Sequence, residues 1–106
     1  MGSELRAQPR RPLRTALTFH YAGHDESGEC LDLSTGGLGF MSAIRIPDGA
    51  ELEPGLSLPG EESPVEVTVR GSVRWHREIV PDIYRYGFAF GQLNGEQQQA
   101  IVGYLS

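Results

Sequence analysis

Two short stretches carry side chains whose types and spacing suit the capture of a small anionic ligand. In Asp32-Leu33-Ser34-Thr35-Gly36-Gly37, the Asp32 carboxylate and the Ser34 hydroxyl lie two residues apart. On an extended chain that spacing projects both from one side, an acceptor beside a donor-acceptor. The pair suits a ligand edge rich in N–H donors, and Gly36-Gly37 permits a sharp turn. Taken alone, the hexapeptide is more simply an ordinary turn in which Asp and Ser bond their own backbone. A second stretch favours the ligand. Arg10-Arg11-Pro12-Leu13-Arg14 sets two arginines four residues apart with a third between them. The planar guanidinium fork binds phosphate bidentately and stacks on flat rings. A solvated, frayed terminus is the plainer reading of these arginines.

The elements that must position these groups read as strands. Residues 1–14 form an expected flexible, arginine-rich arm, because Pro9 and Pro12 discourage a helix and no apolar periodicity anchors the segment. Leu17, Phe19 and Tyr21 then alternate with Thr18 and His20, giving a half-buried strand over 15–21. A polar turn is expected over 23–28, a second strand over 29–33 and a third over 38–46. A weaker strand candidate covers 51–58, ahead of an exposed acidic loop over 59–64. Val65, Val67, Val69, Gly71, Val73 and Trp75 share one face of a long strand, with Gly71 as a natural corner. Tyr84, Tyr86, Phe88 and Phe90 form the aromatic face of another. Asn94 and Gln97 make an Asn variant of the capping box, opening a helix over 95–105. Several short strands and two long ones, punctuated by Gly and Pro, predict a small antiparallel barrel over 15–106, mostly β with a short C-terminal helix.

Composition narrows the partners. At 106 residues with 39% hydrophobic side chains, the chain suits one soluble domain. No apolar run approaches the roughly 20 residues that span a bilayer, and no signal-peptide pattern follows the start, so a cytoplasmic protein without membrane insertion is expected. The lone cysteine, Cys30, sits in a strand-like run and reads as a buried, inert thiol. All nine basic residues are arginines. Residues 1–14 hold four of them against Glu4, and residues 15–106 hold five against thirteen acids. An acidic body opposes the field of DNA or RNA, while a short basic arm still grips a small anion.

With both stretches in place, the chain resembles the PilZ domain, a bacterial receptor for cyclic di-GMP (c-di-GMP). The resemblance runs from about Arg10 to the end. It rests on the family's R-x-x-x-R, here Arg10 to Arg14, and its D/N-x-S-x-x-G, here Asp32, Ser34 and Gly37. A Trp ending a long strand (Trp75), an aromatic-Arg-x-Gly-x-aromatic stretch (Tyr84 to Phe90) and the C-terminal helix fit as well. The resemblance implies a six- or seven-stranded barrel. It implies that Arg10 and Arg14 bind phosphates and guanine, with Arg11 as a further phosphate contact. Asp32 and Ser34 would hold a guanine, and Gly37 would let the backbone approach. The chemistry agrees: guanine offers N7 and O6 to arginine, and N1–H and N2–H₂ donors to a carboxylate. Trp75 falls on the valine face, which makes core packing its default. At the end of its strand it has a second reading, beside a ligand that the family holds on the outer surface.

An enzyme is not expected. His20, His24 and Asp25 lack further ligand spacing for a metal, and neither G-x-S-x-G nor a strand-to-helix nucleotide fingerprint is present. No cofactor is implied; c-di-GMP is a ligand. The expected role is a free-standing receptor or adaptor. It would act through an unidentified downstream protein, a motility, polysaccharide or regulatory component. The alternative is a PilZ-like interaction module that binds no nucleotide.

Overall fold

The structure, a computed structural model, describes residues 10–106. Residues 1–9 of the expected arm, Arg6 and Pro9 among them, lie outside the described residues. Eight strands precede one helix: β1 (Arg11–Tyr21), β2 (His24–Leu33), β3 (Gly37–Ser42), β4 (Glu51–Leu52), β5 (Gly55–Leu58), β6 (Val65–Thr68), β7 (Gly71–Val80), β8 (Ile83–Phe90) and α1 (Gly95–Leu105). They form one sheet in the order β4-β7-β8-β3-β2-β1-β5-β6, with antiparallel pairings throughout.

The sheet curls until its ends meet. β4 and β5 are one stretch broken at Glu53-Pro54, where proline has no N–H to continue a ladder. β6 and β7 are likewise one stretch broken at Val69-Arg70, and the Val69 N–H donates to the Pro54 carbonyl at 3.0 Å. Each broken pair therefore acts as a single bent strand, and the eight segments make the small antiparallel barrel expected.

Inward-facing side chains fill the barrel: Leu17, Phe19, Cys30, Leu33, Leu38, Phe40, Val73, Tyr86 and Phe88 are all buried. Phe40 stacks on Tyr86 with ring centroids 5.0 Å apart, a cross-strand pair on β3 and β8. The Tyr86 hydroxyl donates to Ile44 O at 2.6 Å and accepts from the Ile46 N–H at 2.9 Å, so the loop after β3 is pinned over the core. Ile101 of α1 is buried against the same cluster. The helix opens on the expected capping box, with reciprocal Asn94–Gln97 bonds of 2.8 Å.

Several boundaries differ from the sequence expectation; the third strand, expected over 38–46, ends at Ser42, because Ile44 and Ile46 bond the Tyr86 hydroxyl and not a neighbouring strand. The turn placed at 23–28 is only Ala22-Gly23, both at positive φ, and β2 starts at His24. A two-residue loop of that geometry matches strand twist, and Gly28 sits inside β2 beneath Met41. β1 starts at Arg11 rather than Thr15, because Arg11 and Pro12 pair with Leu33 and Asp32. The expected long strand from Val65 to His76 divides at Val69-Arg70 and runs on to Val80.

Candidate functional site

Two β-bulges decide what reaches the outer face. On β2, Cys30 faces Phe40 and Asp32 faces Gly39, so Leu31 is an extra residue. On β7, Val73 faces Phe88 and Trp75 faces Gly87, so Arg74 is extra. An extra residue inverts the in-out alternation beyond it. Cys30 and Val73 are buried, and Asp32 and Trp75 turn outward. Trp75 is 46% exposed, which corrects its expected place in the core.

The register then lines up four residues across four strands: Asp32, Gly39, Gly87 and Trp75. The two central glycines leave a shallow trough. A Cβ on Gly39 would meet the Asp32 carboxylate at 3.1 Å, and one on Gly87 would lie 2.2 Å from the indole nitrogen of Trp75. The side chains at the ends of the row lean over the glycines. Beside the indole, Trp75, His76, Arg77 and Arg85 line a depression of about 540 Å³.

Charge is concentrated around the same row. Asp32 Oδ1 accepts from Arg10 Nη1 at 2.7 Å and from the Gly39 N–H at 3.0 Å, while Oδ2 accepts from Arg85 Nη2 at 3.3 Å. The neighbouring row holds Glu29, Met41, Arg85 and Arg77. Arg14 forks both Glu29 oxygens at 3.1 Å, which raises the guanidinium pKa further. Arg10 and Arg85 thus meet at the Asp32 carboxylate, Arg14 at that of Glu29, and Arg77 lies beside Arg85 on the same side of the barrel.

The other expected site residues lie elsewhere. Arg11 turns to the C-terminal helix, donating to Tyr104 O at 2.7 Å with its guanidinium 4.7 Å from the Tyr104 ring centroid. Ser34 is buried. Its hydroxyl donates to Gly37 O and accepts from the Gly36 N–H, both at 3.3 Å, so it braces the turn and does not share a free edge with Asp32. Gly37 allows β3 to approach β8, since a Cβ there would sit 2.2 Å from Phe88 O. Arg85 was missing from the sequence-based site. Its signal was the period of β8, which puts Arg85 and Gly87 together opposite the aromatic face. His20 and Asp25 form an exposed pair at 3.0 Å, and among the described residues no three metal-ligating side chains cluster.

Cations, a flat ring and an outward carboxylate make a surface suited to a planar anion with N–H donors. No curated protein matches the chain. Among solved structures, it is similar to the Bacillus subtilis inhibitor of motility MotI/DgrA at 17% identity and TM-score 0.80, covering 92% of this chain and 47% of that one. The chain thus spans about half the length of that protein. The K. pneumonia MrkH–c-di-GMP complex matches at 22% identity and TM-score 0.72, covering 92% and 49%. The PilZ domain of Escherichia coli YcgR with c-di-GMP matches at 13% and 0.71, covering 90% and 84%. These likenesses show a shared fold. The PilZ domain family model matches residues 4–106, nearly the whole sequence, and the chain belongs to the PilZ domain family.

Proposed function

We propose that this chain is a receptor for c-di-GMP that relays the signal to a partner protein. In this reading the ligand is clasped between the arginine stretch and the outer face of the barrel. The observation that carries it is the Asp32 carboxylate, turned outward by a bulge and ringed by Arg10 and Arg85. The identity of the ligand rests on family membership and on the c-di-GMP complexes of YcgR and MrkH. Arg10 and Arg14 take phosphate and guanine oxygens, exchanging their carboxylate partners for the ligand. Asp32 accepts from guanine N1–H and N2–H₂, and Arg85 and Trp75 flank the base. Ser34 and Gly37 act indirectly, by fixing the turn that follows Asp32. The role is one of binding without catalysis, assigned to the cytoplasm.

Isothermal titration with c-di-GMP tests the reading. Arg10→Ala and Arg14→Ala each remove a charge-assisted contact, and each should weaken binding roughly ten- to a hundredfold with little change in melting. Cyclic di-AMP should bind less well, because adenine lacks the donor edge that Asp32 reads. Parent-like binding by both arginine variants would remove the receptor assignment. No binding by the parent would leave a protein-interaction module.

A further inference from the structure

Arg11 and Tyr104 tie the arginine stretch to the last turn of α1 through three contacts. Beyond the hydrogen bond and the ring stacking already described, the Tyr104 hydroxyl donates to Pro12 O at 2.7 Å. The helix gains from this tie. Its first turn carries Glu96 and its last turn no basic residue, so Arg11 supplies the cation that the C-terminal dipole favours. The arginine stretch gains too. Leu13 is anchored in the core, but Pro12 offers no N–H and the register of β1 slips between Pro12 and Thr15, so ahead of Leu13 the β2 ladder holds Arg11-Pro12 weakly.

We propose that Tyr104 is a positioning residue for ligand capture. It anchors Arg11-Pro12 so that Arg10 and Arg14, on either side, stand ready on the outer face, and ligand occupancy is felt at the end of α1. The proposal rests on the c-di-GMP reading above. Its physical basis is that the tie and the ligand order the same segment. Two events that order one segment favour each other, and the coupling is reciprocal. Arg11 then acts through Tyr104, which departs from its expected role as a direct phosphate contact.

The test combines titration with amide hydrogen exchange on the full chain, using c-di-GMP as the probe. Tyr104→Ala should weaken binding about three- to tenfold, and Tyr104→Phe, which loses only the Pro12 bond, should weaken it less. In the parent, c-di-GMP should slow exchange at residues 102–106, the last turn of the helix and its cap, away from the Asp32 face. In Tyr104→Ala, which keeps only the Arg11 bond to the backbone carbonyl, that response should shrink. Arg11→Ala should cost about as much as Tyr104→Ala, and the double variant clearly less than the sum of the two, because the ring contact is shared. An additive double variant would return Arg11 to direct ligand contact and overturn the proposal. So would ligand binding by the parent with unchanged exchange at the helix end, even if Tyr104→Ala proved unstable. No binding by the parent would defeat the receptor reading and this proposal together.

Discussion

Arg14 is held before any ligand arrives. Both of its hydrogen bonds to Glu29 are formed, yet the pair is largely solvent-exposed, so it contributes little to stability. Its consequence lies in competition: a ligand phosphate must draw Arg14 away from a carboxylate on the same face. Glu29→Gln keeps the size of the side chain and removes its charge. It should tighten c-di-GMP binding roughly two- to fivefold, the range expected for losing one exposed ion pair. The gain should disappear in an Arg14→Ala background, where there is no cation left to release. A gain that persists there would mean Glu29 acts by repelling the ligand directly. Asp32 differs because its carboxylate accepts from a backbone N–H as well as two arginines, so its orientation survives the departure of either arginine.

Among the strands, two glycines on neighbouring ladders should respond oppositely to a methyl group. Gly37→Ala drives a Cβ into the Phe88 carbonyl, which is backbone and cannot step aside, so β3 and β8 must part. A loss of about 1–3 kcal/mol is expected in chemical denaturation. Gly87→Ala first meets the exposed Trp75 ring, a side chain that can swing away. Its melting should stay near the parent's, while the emission of the single tryptophan shifts as the indole leaves the trough. Equal destabilisation by both would show that Trp75 is fixed by more than its seat on Gly87. Trp75 also marks where periodicity was legible in the sequence and where it failed. The valine alternation predicted Val65, Val67, Val69 and Val73 on the buried face; the last three are buried, while Val65, at the start of β6, is exposed. The same alternation sent Trp75 inward, because a bulge at Arg74 leaves no trace in a period-two pattern. Asp32 escaped that error because it was selected for its chemistry. Its outward turn nevertheless depends on an equally silent bulge at Leu31. Arg85 was overlooked for a related reason. Its importance comes from the register that sets β8 beside β3, and cross-strand register is written in no single segment.

Across the whole molecule, core and site meet at Cys30. It faces Phe40 in the barrel centre, while Asp32, two residues on, turns to the outer face. Burial, reinforced by the negative charge of Asp32, pushes the Cys30 thiol up to about 12 from an ordinary value of 9.0. The folded state therefore holds this proton over a range in which the unfolded chain releases it. Folding stability is intact below pH 9 and falls as the pH rises from there towards 12, by at most about 1.4 kcal/mol per pH unit from this group. The Tyr86 hydroxyl, also raised by burial, adds to the same alkaline loss. Urea unfolding at a series of pH values from 8 to 11 should show the decline. Cys30→Ala should be less stable at pH 8, through the cavity it leaves, but should lose stability less steeply above pH 9. A thiol reagent at pH 8 should leave the native protein unlabelled and react once urea unfolds it. An unchanged alkaline slope in Cys30→Ala, or rapid labelling of the native protein, would show that the thiol is not held protonated in the core.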